Sequence, residues 1–568
     1  MSESMPTSYI MLVNAVLAAF IPLLVYLLYL VFIQPRFNPL RKLPGPPSKR
    51  WRADHLGMVM NPSVSPRMHE AFVKQYGRNI TIRGPIPWDY RFFTLDPVAL
   101  GHVMKNSHLY EKPWQSRRLI TGLIGCGMLA AEGAAHKRQR RVATPAFSIQ
   151  NMRALVPLVF AKGHELKERW AAMIADPIAG DSGKDARRRI DVCHWVSRAT
   201  FDVIGSAGFD YQFNAIQNES NELFNAYKEM FEVAISQQQG SYRGLFAIYF
   251  PIIDVLFPDK AVRTVRRCQG VIRRVAGQLV QEKKRKIAEA EASGVAHQGK
   301  DLLSLLLRSN AAADLPPEQR ISDEDILHNI NTFMFAGSDT SSLSITWTLF
   351  LLARYPSIQT RLRAELLAVA PTASLAALTS EEIASLYAAV TDLPFLENVV
   401  RESLRLIPPV HSSIRVATQD DVVPTSVPVR TRMPDGSVQD LMHVMVPKGA
   451  FIHVPVEGFN MDREVWGHDA WAFNPDRWDN LPEAVASQPG LYNNTLSFSA
   501  GPRSCIGLRF SIIEIKTFLY ILLTNFVFAE TESQVGKANV VLTRPYVIGK
   551  HMEGSQCPLY VSPYVAEA

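Results

Sequence analysis

A glycine-rich stretch near the end of the chain holds a cysteine whose sulfur could bind a metal. The stretch reads FSAGPRSCIG, from Phe498 to Gly507, and the thiol belongs to Cys505. A thiolate is a good ligand for redox-active iron, and a glycine-rich loop lets backbone amides point at the sulfur. A cysteine beside glycines is also common as a small hydrophobic residue in a turn. Taken alone, the stretch is compatible with either role.

A second polar group, AGSDTSS, lies at Ala336 to Ser342 in the middle of a long helical pattern. The pattern begins at Ser322, followed three residues later by Asp325 as in a capping box, and stops before Pro356. About 33 residues at a rise of 1.5 Å give a rod about 50 Å long. Because these residue types are poor helix formers, the patch predicts either a kink with hydroxyls bonded back to the helix or a groove that handles a small polar molecule.

Two further segments carry charged residues at spacings that allow pairing. ENVVRESLRL places Glu402 and Arg405 one helical turn apart, where a carboxylate and a guanidinium can meet. FNPDRW contains Arg477 and Trp478. An E-x-x-R pattern occurs on many helix surfaces, so this pair alone indicates little.

The composition is that of a globular protein with a basic charge balance. The chain has 568 residues, of which 47% are hydrophobic, and a formal net charge of +7. Its basic clusters are scattered and have no aromatic stacking motif beside them, so we predict solvated helix faces and no nucleic-acid binding, with an acidic protein or anionic lipid as the alternative partner. The five cysteines are widely spaced without a C-x-x-C pair, which predicts a reducing, cytosol-facing environment and neither a disulfide framework nor a zinc site.

The N-terminal residues predict a membrane anchor. Residues 9–33 carry no charge and are long enough to cross a bilayer as a helix. Residues 1–8 carry only Glu3 as a charged side chain, whereas residues 34–50 are basic and rich in proline. Positive charge after the segment predicts a lumenal N-terminus, a stiff hinge over 34–50 and a body, residues 51–568, in the cytosol.

The body reads as mainly helical. Apolar residues recur at helical spacing from Asn151 to Ile174 and from Lys260 to Ala292, whereas the short strand-like runs NITIRG, HVMVPKG and AFIHVPV lie towards the ends of the chain. We therefore predict a mainly α fold with a small segregated β-sheet, an α+β arrangement. Residues 418–440 read as an enlarged hairpin to which the sequence gives no function.

The full pattern around the cysteine, F-x-x-G-x-R-x-C-x-G, resembles the heme-binding loop of the cytochrome P-450 family of heme-thiolate monooxygenases. It is formed by Phe498, Gly501, Arg503, Cys505 and Gly507. The helix patch AGSDTS resembles the oxygen-activation motif of that family, and the E-x-x-R and FNPDRW segments follow in the family's order. The resemblance extends from about residue 43 to the C-terminus and implies the cytochrome P-450 fold.

The resemblance implies a role for each of the main polar residues. Cys505 would be the proximal thiolate ligand of a heme b iron, and electron donation from its sulfur favours cleavage of the O–O bond. Asp339 and Thr340 would deliver protons on the opposite side of the heme. Glu402, Arg405 and Arg477 would form a structural triad that holds the fold.

Three arginines and a histidine are the expected contacts of the heme propionates: Arg140, Arg503 and Arg415, with His136 at a position where the family usually has tryptophan. Arginine suits a carboxylate because its guanidinium donates two parallel hydrogen bonds. Histidine retains a ring N–H donor, so the propionate contact can survive the change from tryptophan.

The implied reaction is the insertion of one oxygen atom from O2 into a lipophilic substrate. Electrons are expected from NADPH through a separate flavoprotein reductase, since the chain has no room for a flavin domain. The chain looks like a fungal-type microsomal member, which suggests an endoplasmic reticulum membrane and oxidation of terpenoids or other secondary metabolites. The alternatives are a heme-thiolate isomerase or dehydratase that needs no reductase and a non-enzymatic membrane heme protein.

Overall fold

The structure, a computed structural model, describes residues 18, 20–47, 55–84, 89–176, 187–236, 247, 250–292, 299–311, 316–371, 373–539 and 541–565. The long helices lie mostly in the middle of the chain, and most of the strands lie towards its two ends. The described helices are α1 (Phe20–Ile33), α2 (His55–Met60), α3 (Ser65–Tyr76), α4 (Pro97–Lys105), α5 (Trp114–Ile124), α6 (Gly133–Ala143), α7 (Ile149–Ala154), α8 (Val156–Ala175), α9 (Val192–Phe209), α10 (Glu222–Ser236), α11 (Ile252–Leu256), α12 (Lys260–Ala292), α13 (Leu302–Ala311), α14 (Asp323–Arg354), α15 (Pro356–Ala368), α16 (Ser380–Thr391), α17 (Pro394–Leu406), α18 (Val456–Asn460), α19 (Arg463–Trp466) and α20 (Leu508–Asn525). The described strands are β1 (Asn79–Arg83), β2 (Tyr90–Thr94), β3 (Tyr110–Glu111), β4 (Arg188–Asp191), β5 (Ser413–Ala417), β6 (Asp421–Arg432), β7 (Val438–Val446), β8 (Phe451–Val454), β9 (Phe526–Glu530), β10 (Val535–Asn539), β11 (Thr543–Val547) and β12 (Pro558–Pro563). The prediction of a mainly helical chain with a small amount of segregated sheet is confirmed.

The chain divides into two compact units. Unit 1 comprises Met1–Glu111 and Ser412–Gly458, and unit 2 comprises Lys112–His411 and Phe459–Ala568. Unit 1 contains a five-stranded sheet in the order β1-β2-β8-β5-β3 and a separate two-stranded hairpin, β6-β7. Unit 2 is built from the long helices and two small sheets, β4-β12-β9 and β10-β11.

The enlarged hairpin predicted at residues 418–440 is present and longer than predicted. Strands β6 and β7 pair antiparallel from Asp421↔Val446 to Arg432↔Val438, with an irregularity between Pro424 and Val429. The run HVMVPKG, which the sequence suggested as a separate strand, supplies the end of β7. The hairpin buries alternate residues against the core of unit 1, as the two-residue period of a strand requires.

The long central helix of unit 2, α14, follows the sequence signals closely. The Ser322 hydroxyl accepts from the Asp325 amide (3.1 Å) while the Asp325 carboxylate accepts from the Ser322 amide (3.3 Å), which is the predicted capping box. The helix ends at Arg354, before Pro356. Most of its residues are buried, so the polar patch at 336–342 lies within the interior of unit 2.

The helix predicted from Asn151 to Ile174 is two helices. The first, α7, ends at Ala154, and α8 starts at Val156 with Pro157 in its first turn. Proline has no N–H to donate to the preceding turn and restricts the residue before it, so the chain starts a new helix instead of continuing the old one. Helix α12, by contrast, covers the predicted range of 260–292.

Within the described residues, no single helix combines the length and hydropathy needed to cross a bilayer. Only α16 and α17, bent by 71° at their junction, reach those values, and only when they are taken together. The described part of the predicted anchor is the shorter apolar helix α1, whose large apolar side chains, Phe20 among them, are exposed. Residues 1–17 and 19 of the predicted anchor region lie outside the described residues, so the anchor stays a prediction.

Candidate functional site

The cysteine loop of unit 2 is a compact turn that leads directly into α20. The Cys505 amide donates to the Phe498 carbonyl (3.0 Å), and the Ser504 amide donates to the Gly501 carbonyl (3.0 Å). Gly501 has a φ of +66°, a conformation that glycine adopts without steric cost. Among the five cysteines, Cys505 is the exposed one, whereas the others are buried or half-buried. The loop therefore presents its sulfur to something other than its own protein core.

Two groups in the loop's surroundings favour the thiolate form of Cys505. Although the side chain has accessible surface, desolvation by the surrounding protein raises the pKa of its thiol. A hydrogen bond from the Gly507 amide and the positive charge of Arg140 act against that rise. Arg140 is fixed in place because its guanidinium donates to the Ser504 carbonyl (2.8 Å). A coordinated metal ion would complete the ionisation, since a thiol bound to a metal is deprotonated.

Two basic residues, Arg503 of the cysteine loop and Lys112, lie beside the carboxylate of Glu132, a residue that the sequence did not single out. The Arg503 guanidinium donates to the Ala131 carbonyl (2.8 Å) and forms an ion pair with the Glu132 carboxylate. The Lys112 ammonium lies 3.4 Å from the same carboxylate. Arg503 was predicted to contact a heme propionate, and in this structure the carboxylate of Glu132 is the anion that it binds.

His136, which stands where the family has tryptophan, is buried and neutral. Burial, followed by the positive charges of Lys112 and Arg140, lowers the pKa of its imidazole to about 4. A neutral imidazole keeps one N–H donor, which is the property that the predicted propionate contact needs. The contact itself stays a prediction.

Arg415 lies on β5 in unit 1 and is buried. Its guanidinium donates to the Ser413 hydroxyl and to the Ile414 carbonyl (3.0 Å), and no carboxylate among the described residues pairs with it. Burial lowers the pKa of Arg415 to about 10. A buried cation with only neutral acceptors gains from an added anion, so the surroundings of Arg415 are compatible with the propionate contact, which stays a prediction.

The hydroxyls of the polar patch of α14 bond back to the helix, as one of the two interpretations of the sequence expected. The Thr340 hydroxyl donates to the Ala336 carbonyl (2.7 Å), and the Ser338 and Ser344 hydroxyls also bond to carbonyls one turn earlier. The Asp339 carboxylate instead forms an ion pair with a residue of another element, Arg544 on β11. Arg544 is a partner that the sequence did not predict.

The Asp339–Arg544 pair lines a small cavity of mixed polar and apolar character in unit 2. The cavity has a volume of about 60 Å³, and its charged and titratable lining includes His194, Lys228 and Glu232. A buried water needs about 10–15 Å³ of such volume and two or more polar partners. The cavity therefore has room for a few waters beside the Asp339 carboxylate.

Helix α14 packs against α20, the helix that starts directly after the cysteine loop. At this contact Ser341, the neighbour of Thr340, interacts with Glu514. Glu514 is fully buried, and neither of its carboxylate oxygens has a hydrogen-bond partner at normal geometry. Burial raises the pKa of Glu514 well above its ordinary value, which favours the neutral form of this carboxyl group.

The Glu–Arg pair forms the predicted triad. Arg405 donates two hydrogen bonds of 2.8 Å to Glu402, and Arg477 lies 3.3 Å from the same carboxylate. The Trp478 indole N–H (3.1 Å) and the Asn474 amide (3.1 Å) also donate to it. All of these groups are inside unit 2, and the side chains of Glu402 and Arg405 have no exposed surface.

The donor set around Cys505 fits a heme. The thiol has accessible surface, a backbone N–H is aimed at its sulfur, and a cation is held beside it by Ser504. These are the features by which proteins tune an iron–thiolate bond. The described residues contain no group of three or more histidine, cysteine or acidic side chains that could hold a metal ion without a cofactor.

Comparison with known proteins gives a consistent result over nearly the whole chain. The family profile named Cytochrome P-450 matches residues 67–546. Cytochrome P-450 monooxygenase 205 of Postia placenta is 37% identical over 545 residues, which is 94% of each chain. Cytochrome P-450 monooxygenase 128 of the same fungus is 35% identical over 546 residues, 94% of this chain and 95% of the relative. A ganoderic acid synthetase of Ganoderma lucidum is 32% identical over 552 residues, 94% of each chain. With the cysteine loop, the Glu402 cluster and these matches in agreement, the chain belongs to the cytochrome P-450 family, and the two Postia placenta relatives are named as monooxygenases.

Proposed function

We propose that this protein is a membrane-anchored monooxygenase that hydroxylates or epoxidises a lipophilic substrate in the biosynthesis of a fungal secondary metabolite. The observation that carries the proposal is the open Cys505 thiol with the Gly507 amide and the Arg140 charge directed at it. Membership of the family implies heme iron with a thiolate ligand. When bound there, the heme would supply the activation of O2 and the transfer of one oxygen atom to the substrate.

The substrate class and the surroundings are the finer parts of the proposal. One relative is named as a ganoderic acid synthetase, which supports a role in making a specific metabolite. The uncharged segment at residues 9–33 supports an anchor in the endoplasmic reticulum membrane with the body in the cytosol. Electrons would come from NADPH through a separate membrane-bound reductase, which would also meet the protein on the cytosolic side.

Two residues of α14 would handle protons on the substrate side. The hydrogen of the Thr340 hydroxyl is committed to the Ala336 carbonyl, so its oxygen is free to accept a hydrogen bond and to fix the position of a water. Asp339 borders the cavity that has room for waters, and it would pass protons from there to the Thr340 side of the helix. Its ion pair with Arg544 must loosen for each transfer, which makes Arg544 a positioning residue.

The first test is the carbon monoxide difference spectrum of the reduced, purified full chain. A strongly red-shifted Soret band is expected, because Cys505 would hold the heme iron through a thiolate. A band at the ordinary heme position would mean that Cys505 is protonated or displaced. The absence of any heme band would refute the proposal.

The second test compares Thr340→Ala with Ser344→Ala in the presence of reductase, NADPH and a converted substrate. Each change removes one hydroxyl that is bonded back to α14, but only Thr340 belongs to the proposed proton route. Thr340→Ala should lower the product formed per NADPH by about 100-fold, because the electrons then leave with O2 and protons as hydrogen peroxide. Ser344→Ala should keep the coupling of the unmodified protein.

The outcomes of the second test separate the proposed function from its alternatives. Full coupling in Thr340→Ala would show that the proton route is wrong. Conversion of a hydroperoxide without reductase, unaffected by the substitution, would identify an isomerase or dehydratase. A thiolate heme band with no turnover of any kind would leave a non-enzymatic heme protein.

A further inference from the structure

Unit 1 contains a cleft whose charged lining is entirely basic. The cleft has a volume of about 670 Å³ and is lined by residues 41–45, 75–79, 427–430, 432 and 438. Among the described residues, no aspartate or glutamate contributes to the lining. The cations that line it, here called the basic cleft, are Arg41, Lys42, Arg78, Arg430 and Arg432.

The basic cleft is built into the fold by the residue pattern around Leu40 and Leu43. Both leucines are buried in the core of unit 1 with β6 and β7, and Asn38 caps the short 3-10 turn between them. Arg41 and Lys42 lie between the two leucines and are exposed. The segment that follows helix α1 therefore forms part of the wall of the cleft, and the enlarged hairpin contributes two further cations, Arg430 and Arg432.

Three of the five cations of the basic cleft have no anionic partner among the described residues. Lys42, Arg430 and Arg432 make no ion pair with any described residue, although Asp440 lies opposite Arg430 in the ladder. Like charges that converge in a concave surface raise the local concentration of anions, and arginine is the side chain best suited to a phosphate.

Apolar side chains beside these cations favour a lipid over a free phosphate compound. Val427 and Val438 line the cleft and are 41% and 56% exposed, and farther along the hairpin the cross-strand pair Val422 and Met445 is also exposed. A soluble phosphate compound needs only the cations, whereas a phospholipid brings acyl chains that such side chains can cover. Cations flanked by exposed apolar residues are typical of surfaces that lie on an anionic bilayer.

We propose that the basic cleft binds the phosphate-bearing headgroup of an anionic phospholipid in the bilayer that takes up the N-terminal apolar segment. The inference rests on the membrane location given under the proposed function. It also gives the enlarged hairpin a purpose, because Arg430 and Arg432 come from β6. The bound lipid would hold unit 1 at the membrane surface by a contact separate from the anchor.

The test measures binding of short-chain lipids to the full-length protein in a nonionic detergent. The probes are dioctanoyl phosphatidylserine, dioctanoyl phosphatidylcholine and inorganic phosphate. The variant carries Arg430→Gln with Arg432→Gln, two exposed positions whose loss leaves the core of unit 1 intact. The control carries Arg273→Gln with Lys300→Gln, which removes the same charge from exposed positions in unit 2.

The unmodified protein should bind phosphatidylserine more tightly than phosphatidylcholine, and the hairpin variant should lose about thirty-fold in affinity for phosphatidylserine. The control should bind phosphatidylserine like the unmodified protein. Equal affinity for the two lipids, or an unchanged affinity in the hairpin variant, would overturn the proposal. So would inorganic phosphate that binds as tightly as phosphatidylserine and displaces it, because the cleft would then serve a free phosphate compound.

Alkaline carbonate extraction of the full chain from microsomes separates this inference from the proposed location. A chain released by carbonate refutes the membrane anchor, whatever the lipid titration shows. A chain retained in the membrane but indifferent to phosphatidylserine keeps the anchor and refutes the lipid site. The carbon monoxide spectrum of the hairpin variant should be unchanged, which excludes misfolding as the cause of lost binding.

Discussion

Replacing Glu402 by glutamine should destabilise the protein without touching its chemistry. The Glu402 carboxylate accepts hydrogen bonds from Arg405, Arg477, Trp478 and the Asn474 amide, and it has no exposed surface. Glu402→Gln keeps the shape of the side chain but removes its negative charge. The guanidinium of Arg405 would then be buried with only neutral oxygens as acceptors.

The size of the effect follows from the burial of the pair. Removing one partner of a buried ion pair costs about 3–5 kcal/mol, because the remaining charge stays desolvated. Glutamine keeps one acceptor oxygen, and Arg405 also donates to the Asn460 and Ala470 carbonyls (2.9 and 2.7 Å), so the lower end of that range applies. Since whole domains are stable by about 5–15 kcal/mol, the loss would be a large part of the total.

The matched control is Glu222→Gln, the same chemical change in an exposed ion pair. Glu222 binds Arg274 at 2.7 and 2.8 Å, but both side chains are more than half exposed, and such pairs contribute about 0–1 kcal/mol. Urea unfolding followed by tryptophan fluorescence should show a much lower midpoint for Glu402→Gln and an unchanged one for Glu222→Gln. Equal midpoints in the two variants would refute the structural role of the cluster, as would a Glu402→Gln protein that is fully stable but inactive.

Two further predictions concern the other buried charges of unit 2. Because burial raises the pKa of Glu514, the folded chain retains a proton that the unfolded chain releases above about pH 4.3, so the stability of the protein falls as the pH rises. Glu514→Gln should remove this loss, so the unfolding midpoints of the variant and of the unmodified protein, measured from about pH 5 to pH 8, should diverge as the pH rises. Parallel curves would contradict the neutral carboxyl group. Arg140→Gln removes the charge that lowers the pKa of the Cys505 thiol and the hydrogen bond to the Ser504 carbonyl. As the pH is lowered, the red-shifted carbon monoxide band of this variant should change to the ordinary one at a higher pH than in the exposed-site control Arg141→Gln. Identical pH profiles would show that Arg140 does not act on the sulfur.

Features of the fold that depend on neighbouring residues were predictable. The capping box at Ser322 and the end of α14 before Pro356 involve contacts within a few positions, and the structure confirms both. The Glu402–Arg405 pair is set by one turn of helix and is also present. The break at Leu155 could have been read from Pro157, which stands where a continuous helix needs an N–H donor.

Partners far apart in the chain were not predictable from spacing. Arg503 and Glu132 are separated by 371 positions, and Asp339 and Arg544 by 205. Nothing in the pattern around Glu132 distinguishes its carboxylate from those on the surface, because the helix that follows it is rich in basic residues and looks solvated. The cluster of charges beside the cysteine loop therefore emerges only once the fold brings these segments together.

The polar patch of α14 shows that a sequence can imply the need for a distant partner even when it does not identify that partner. In the middle of a helix every backbone N–H already bonds to the carbonyl one turn earlier, so a carboxylate there has no local donor, whereas a hydroxyl can always donate to a carbonyl of its own helix. Thr340 and Ser338 take that local solution. Asp339 cannot, and an acid in the middle of a largely buried helix must find a cation on another element. The sequence thus required a partner such as Arg544 without identifying it, and the ion pair with Arg544 holds the Asp339 carboxylate at the cavity from which protons could be drawn.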